Sequence, residues 1–173
     1  YFEDVDFGWR LQVCGYRTVL AAGARSFHRH HGTSSRFGMH ERILLLERNA
    51  LRALIKNVGD EHLPKLLAGA LLLQAKRSQH DSDSDRRQYD VGVKAEDFEP
   101  IHRLTTARMH AVNDILDDLD GLMAERSKIQ ARRQVPDRVV FSTFGKPLEP
   151  LGNDTGSYQE AFDKVVRFLD LGE

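Results

Sequence analysis

Three acidic residues lie within four positions near the start of the chain, namely Glu3, Asp4 and Asp6. Apolar residues at helical spacing follow them, so the carboxylates are predicted to lie at the N-terminus of a helix. The unpaired N–H groups and partial positive charge of such a terminus stabilise a carboxylate as an anion. One of the three could therefore serve as a general base. The plainer interpretation is that Asp4 or Asp6 caps the helix.

A second polar cluster contains three histidines, His28, His30 and His31, with Arg36 close behind them. In an extended segment, residues two apart share a face, so His28 and His30 are predicted to point the same way. Neutral imidazoles bind divalent metals, and an arginine can contact phosphate or simply face water. No cysteine pair or matched carboxylate accompanies the histidines. Metal binding and an ordinary exposed cluster therefore both stay open.

The elements that would position these residues are of mixed type. Apolar periodicity predicts helices at residues 4–14, 40–58, 60–79, 100–133 and 158–169. Gly15 is expected to end the first helix, and Asp60 to cap the third. Short apolar runs predict extended segments at 18–21, 24–28 and 139–141. The run at 80–88 is polar and lacks periodicity, which predicts a solvated linker.

Composition excludes several classes of protein. The chain has 173 residues, of which 25 are basic and 26 acidic, so its net charge of −1 gives no general attraction to nucleic acid. A single cysteine, Cys14, excludes an internal disulfide and fits a reducing cytoplasm. The longest strongly apolar run, at 66–73, is far shorter than the roughly 20 residues needed to cross a bilayer. We therefore predict a soluble or membrane-peripheral chain.

Four motifs follow one another in the first part of the chain: EDVDFGWR at 3–10, GYR at 15–17, HRHHGTSS at 28–35 and ERNALR at 47–52. Together they resemble the later half of the catalytic domain of family 2 glycosyltransferases. The resemblance implies an α/β remnant of a GT-A (nucleotide-diphospho-sugar transferase) domain followed by a mainly α-helical extension. It also implies a fragment that lacks the donor-binding half and is inactive alone. The implied segments are the remnant at 1–38, a helical pair packed on it at 39–79, a polar linker at 80–99 and the extension at 100–173.

The same resemblance assigns roles to individual residues. Asp4 would be the general base that takes a proton from the acceptor hydroxyl as it attacks the anomeric carbon, which inverts the sugar configuration, and Glu3 would help to position the site. A divalent ion, Mn²⁺ or Mg²⁺, would sit on the donor diphosphate and be held by His28 and His30. The supporting residues would be Asp6, Trp9 and Arg10 beside the acceptor or the helix, and Thr33, Ser34 and Arg36 in a diphosphate loop.

The function implied is transfer of a sugar from a nucleotide-sugar donor to a saccharide or lipid-linked acceptor. Such a reaction would belong to the synthesis of bacterial cell-surface polysaccharide or glycolipid. The enzyme would work in the cytoplasm, peripherally on the inner face of the cell membrane, without binding nucleic acid.

Two other interpretations come from the residues alone. A non-catalytic helical protein-interaction module would dock a partner helix on a long apolar stripe, with the first carboxylates acting only as caps. A metal-binding or metal-hydrolase fragment would be built on His28 to His31 and predicts tight zinc binding by this chain alone. The stripe consists of Ile101, Leu104, Val112, Ile115, Leu116, Leu119, Leu122 and Met123.

Overall fold

The computed structural model describes residues 1–27, 37–82, 101–143 and 156–171. Those ranges contain seven α-helices: α1 Glu3–Val13, α2 Met39–Asn57, α3 Leu63–Ser82, α4 Arg103–Asp117, α5 Leu119–Gln130, α6 Asp137–Thr143 and α7 Ser157–Phe168. No β-strand occurs within them. The part of the chain that the structure describes is therefore a helical bundle.

The predicted fold class, an α/β remnant of a GT-A domain, is wrong. Residues 16–27 form neither helix nor strand and are exposed throughout, and residues 139–141 lie inside α6. A strand persists only where a neighbouring strand pairs its backbone, and the described ranges offer no such neighbour. Residues 139–141 are helical because the amides of Val139 and Val140 donate to the carbonyl of Pro136. Asp137 in the first helical turn also favours the helix, since its charge is opposite to that of the helix N-terminus.

The helix predictions near α1, α2, α3 and α7 are confirmed, apart from their end residues. Gly15 ends α1 in the left-handed conformation, with φ of 81°. Its amide donates to the Gln12 carbonyl, and the Tyr16 amide donates to the Leu11 carbonyl, which is a Schellman motif. Asp60 does not cap a helix, because α3 begins at Leu63 and the carboxylate of Asp60 pairs with Arg126.

The helix predicted at 100–133 is divided into α4 and α5 at Asp118. Asp118 has φ of −114° and ψ of 25°, and its carboxylate accepts a hydrogen bond of 2.7 Å from Arg52 of α2. The two helices continue in sequence across this break. They therefore present one long surface to α2.

The hydrophobic core forms around α2, which contacts α1, α3, α4 and α5. Its innermost side chains are Leu51 and Ile55 from α2, Ile115 from α4 and Leu122 from α5. Full burial of such a side chain stabilises a fold by roughly 1.5–3 kcal/mol. Partly buried leucines of α3 pack against the same cluster, and α7 lies on α3.

Polar side chains donate hydrogen bonds to the free carbonyl oxygens at the C-terminal end of α2. Arg126, Gln130 and Arg133 donate to carbonyl oxygens of residues 55–58, which have no further turn of helix to accept from. Asp137 completes this corner, since its buried carboxylate accepts from the Gly59 amide at 2.8 Å and pairs with Arg133 at 2.9 Å. These bonds fix α5 and α6 to the junction between α2 and α3.

Candidate functional site

The carboxylates predicted to do chemistry do not form one cluster. Asp6 is committed to the packing of α1 on α2, because it accepts from Lys56 Nζ at 2.9 Å and from Asn57 Nδ2 at 2.8 Å. Arg10 also pairs with it, at 3.3 Å. With two positive charges beside it and little exposure, Asp6 is a structural residue that joins two helices.

Glu3 and Asp4 are exposed in the first turn of α1. Glu3 lies 2.8 Å from the N-terminal amine of Tyr1. The Asp4 carboxylate accepts from the Val5 amide, and no basic side chain pairs with it within the described ranges. Neither Asp4 nor Asp6 caps the helix, because the N-cap is Phe2, which adopts φ of 70° and makes no side-chain cap. The capping interpretation is therefore wrong.

Trp9 and Arg10 have packing contacts. The Trp9 ring meets the Phe141 ring of α6 edge to face, with centroids 6.4 Å apart. The Arg10 guanidinium lies 6.0 Å from the centroid of the Phe7 ring. The Trp9 contact holds α1 against α6, whereas the Arg10 contact lies within α1.

The residues predicted to bind metal and diphosphate, His28, His30, Thr33, Ser34 and Arg36, lie outside the described residues, as does His31. Metal binding at that segment stays a prediction. Within the ranges that are described, no group of three or more histidine, cysteine or acidic side chains could hold a metal ion.

A different surface stands out on α4 and α5. Four large apolar side chains there are exposed, Met109 by 63%, Leu116 by 62%, Leu119 by 42% and Met123 by 43%. With the partly buried Val112 they alternate at three- and four-residue spacing, which places them in one row along the two helices. We call these four exposed side chains the exposed stripe.

The predicted stripe is therefore split along its length. Ile115 and Leu122 point into the core, whereas Leu116, Leu119 and Met123 remain outside. Methionine and leucine are usually buried, so four of them in a row on the outside form an unusual surface. Methionine side chains are flexible and polarisable, which suits them to contacts with varied partners.

A row of polar side chains runs beside the exposed stripe, formed by Asn113, Asp117 and Asp120. Residues 109–125 contain five acidic residues and no lysine or arginine. Three of the acids have basic partners on α2. Arg48 pairs with Asp114 at 3.2 Å and Arg52 with Asp118 at 2.7 Å, and Glu125 lies 3.9 Å from Arg52 and 3.8 Å from Lys56. Asp117 accepts only from Asn113, and no basic side chain within the described ranges pairs with Asp117 or Asp120.

A buried ionic network fixes the helices beneath this surface. Glu47 of α2, 8% exposed, accepts from Arg77 of α3 through both carboxylate oxygens, at 2.9 and 2.7 Å. Arg108 of α4, 6% exposed, donates to the same carboxylate at 3.0 Å. Arg77 also donates to the hydroxyl of Tyr158 in α7 at 2.8 Å, so the network joins four helices.

Arg77 stays charged in this network. Burial acts to lower the pKa of its guanidinium, but the hydrogen bonds and charge of Glu47, together with Tyr158, outweigh burial and raise the pKa above its ordinary value. Arg77 therefore remains a cation at every physiological pH.

Comparison with known proteins finds no match for this chain, whether among family models, curated proteins or solved structures. The identification with family 2 glycosyltransferases is wrong on two findings: no family model matches, and a GT-A fold is built on a sheet whereas the described residues form only helices and connections. Among the helices in the described ranges, none has both the length and the apolar character that crossing a bilayer requires.

Proposed function

We propose that this chain is a non-catalytic helical protein-interaction module that docks one helix of a partner protein on the exposed stripe. The observation that carries the proposal is the row of four exposed apolar side chains on helices whose opposite side is buried in the core. A helix laid in an apolar groove is a common mode of recognition, and it uses anchors at alternating three- and four-residue spacing.

The size of the row defines the size of the partner element. From Met109 to Met123, a chain that rises about 1.5 Å per residue covers roughly 21 Å, which is about four helical turns. On the α3 side, Leu71 is also partly exposed and belongs to the face of α3 that meets α4. That face is identified by Gln74 and Ser78, which bond Arg108 and Thr105 of α4. A single partner helix of four turns would cover the exposed stripe and touch Leu71.

Replacing Leu116 with aspartate is expected to weaken docking at least about tenfold, because it removes a central apolar contact and places a charge where the partner is apolar. The probe is a labelled four-turn amphipathic peptide with leucines at three- and four-residue spacing and glutamine on both flanks. Its Kd is measured by fluorescence anisotropy. The free energy of unfolding should stay within about 0.5 kcal/mol, since Leu116 is exposed.

Phe168→Asp is the matched control for this variant. Phe168 is a large exposed side chain on α7, away from α4 and α5, so its replacement should leave the Kd unchanged. Failure of the peptide to bind the unaltered chain, or equal Kd values for Leu116→Asp and the unaltered chain, would contradict the docking function.

The cytoplasm is the compartment that we propose for this module. Its single cysteine, Cys14, is a free thiol near the end of α1 and forms no disulfide, which fits a reducing compartment. The apolar stripe would there meet partner proteins.

Sugar transfer to a hydroxyl acceptor is a second candidate function, supported by Asp4. Of the three carboxylates, Asp6 is neutralised by Lys56, whereas Asp4 is exposed and has no basic partner within the described ranges. An ionised carboxylate at the positive end of a helix is able to accept a proton from a hydroxyl. A divalent metal and the nucleotide-sugar donor would require residues outside the described ranges, including His28 and His30.

Asp4→Asn separates the two candidates. We expect the Kd for the amphipathic peptide and the free energy of unfolding to remain unchanged, because Asp4 is distant from α4 and α5 in the packing and bonds only the adjacent amide. The second candidate instead predicts a loss of sugar transfer by the whole protein of at least about a hundredfold. Asp6→Asn is a poor substitute, because it would also loosen α1 from α2.

A further inference from the structure

We infer that the partner helix carries lysine or arginine along one flank of its apolar face and uncharged residues along the other. This inference rests on the docking function proposed above and specifies the chemistry of the partner. It follows from the unequal distribution of charge on the two sides of the exposed stripe.

The outer side of the exposed stripe is acidic. Asp120 lies three residues before Met123 in α5, which makes the two side chains surface neighbours, and it follows Leu116 by four residues across the break at Asp118. Asp117 is three residues before Asp120 in the same polar row. With Asp114, Asp118 and Glu125 paired to α2, these two carboxylates are the ones left without a basic partner in the described part of α4 and α5.

The inner side of the exposed stripe is neutral. It is bordered by α3, whose residues 66–75 contain no charged side chain. Leu71 on that segment is partly exposed, and so are small neighbours such as Ala75. A charged flank of the partner would be desolvated there without a counter-charge, which is unfavourable.

A partner helix therefore gains from cations only beside Asp117 and Asp120. Lysine or arginine at that edge stays near water, so it adds attraction to the carboxylates with little loss of hydration. One acidic edge also fixes the direction of the bound helix, because turning the partner end for end would move its cations to the neutral edge. An acidic partner helix would be repelled by the same two carboxylates.

The test compares three labelled four-turn peptides with the same leucine row, which differ only in having lysine, glutamine or glutamate along one flank. We expect the lysine peptide to bind at least tenfold more tightly than the glutamine peptide, and the glutamate peptide to bind more weakly. The advantage of lysine should disappear in about 1 M salt, where charges are screened within about 3 Å. Lysine on both flanks should improve Kd by less than twofold over lysine on one.

The variant Asp117→Asn with Asp120→Asn should reduce the advantage of lysine to less than threefold, while the Kd of the glutamine peptide stays the same. Glu160→Gln with Asp163→Asn is the matched control, since it makes the same change in net charge on exposed residues of α7. That control should keep the full advantage of lysine.

Other results would overturn one proposal or both. Equal binding of all three peptides, still abolished by Leu116→Asp, would overturn the basic flank and leave the docking function standing. A further tenfold gain from lysine on the second flank would overturn the one-sided charge. Absence of glutamine-peptide binding would overturn the docking function itself. If Leu116→Asp left the binding of the lysine peptide unchanged, the interaction would be charge attraction alone, and both the docking function and the basic flank would be overturned.

Discussion

Replacement of Glu47 with glutamine is expected to lower the free energy of unfolding by about 3–5 kcal/mol, the largest effect expected of any single substitution considered for this chain. The carboxylate accepts three hydrogen bonds, two from Arg77 and one from Arg108, and its negative charge lies against both guanidinium groups. Glutamine has nearly the same shape but no charge, and its amide nitrogen would face a guanidinium as a second donor.

The measurement is urea unfolding at neutral pH, followed by circular dichroism, with Glu125→Gln as the control. Glu125 is about half exposed and lies 3.9 Å from Arg52 and 3.8 Å from Lys56, so its replacement should cost less than about 1 kcal/mol. A loss of under about 1 kcal/mol for Glu47→Gln would show that the network adds no net stability.

A combined variant tests whether the charge itself or its pairing matters. Replacing Glu47 with leucine together with Arg108→Met and Arg77→Met removes the charges as a group and substitutes apolar volume. Such replacements of buried ion pairs are commonly near neutral in stability, so the triple variant should be more stable than Glu47→Gln. Because the network joins α3 and α4 to α2, it also fixes the edge at which Leu71 and the exposed stripe meet.

Local patterns in the sequence were sufficient for most of the helices and insufficient for what joins them. Gly15 and the apolar spacing of Leu51 and Ile55 depend on interactions within a few residues, and these features were predictable. The short run at 139–141 was not, because three consecutive apolar residues fit a strand or a buried helix equally well. Its helical state depends on Pro136 and on packing against α1.

The pairing of charges lay beyond local patterns. Asp60 has the sequence context of a helix cap, but it pairs with Arg126, which is 66 residues away. Glu47 gave a usable signal, since it falls three residues after Leu44 and four before Leu51, on the apolar face of α2. A carboxylate in that position requires a buried cation, although the sequence does not say which arginine supplies it.

The helical spacing of the residues in the exposed stripe was predictable from the sequence, but their exposure was not. Apolar spacing placed Ile115, Leu116, Leu122 and Met123 together, and it could not show that α2 would cover only the first and third of them. That division depends on how α2 sits against α4 and α5, which is set by contacts such as Arg52 with Asp118. The predicted metal and diphosphate residues lie outside the described ranges and stay predictions.

Arg126→Met is expected to lower the free energy of unfolding by about 2–4 kcal/mol, the second largest effect. The side chain is 4% exposed and donates to the carbonyl oxygens of Ile55 and Val58 at the end of α2, where the helix carries partial negative charge. Methionine fills a similar volume, so the loss comes from the two carbonyls. The Ile55 carbonyl loses its side-chain donor, and the Val58 carbonyl keeps only the longer bond of 3.3 Å from Gln130. Asp60 loses its cation as well, but it is exposed and contributes little.

Two further variants identify the cause of that loss. Arg126→Lys keeps the positive charge but lacks the planar guanidinium, so a single ammonium group cannot bond both carbonyls and the Asp60 carboxylate at once. The stability of this variant should lie between those of Arg126→Met and the unaltered chain. Lys128→Met removes an exposed cation from the same helix and should change the free energy of unfolding by less than about 0.5 kcal/mol. If Arg126→Met were as stable as Lys128→Met in urea, the end of α2 would not depend on α5, and the junction of α2, α3 and α5 would be held by apolar packing alone.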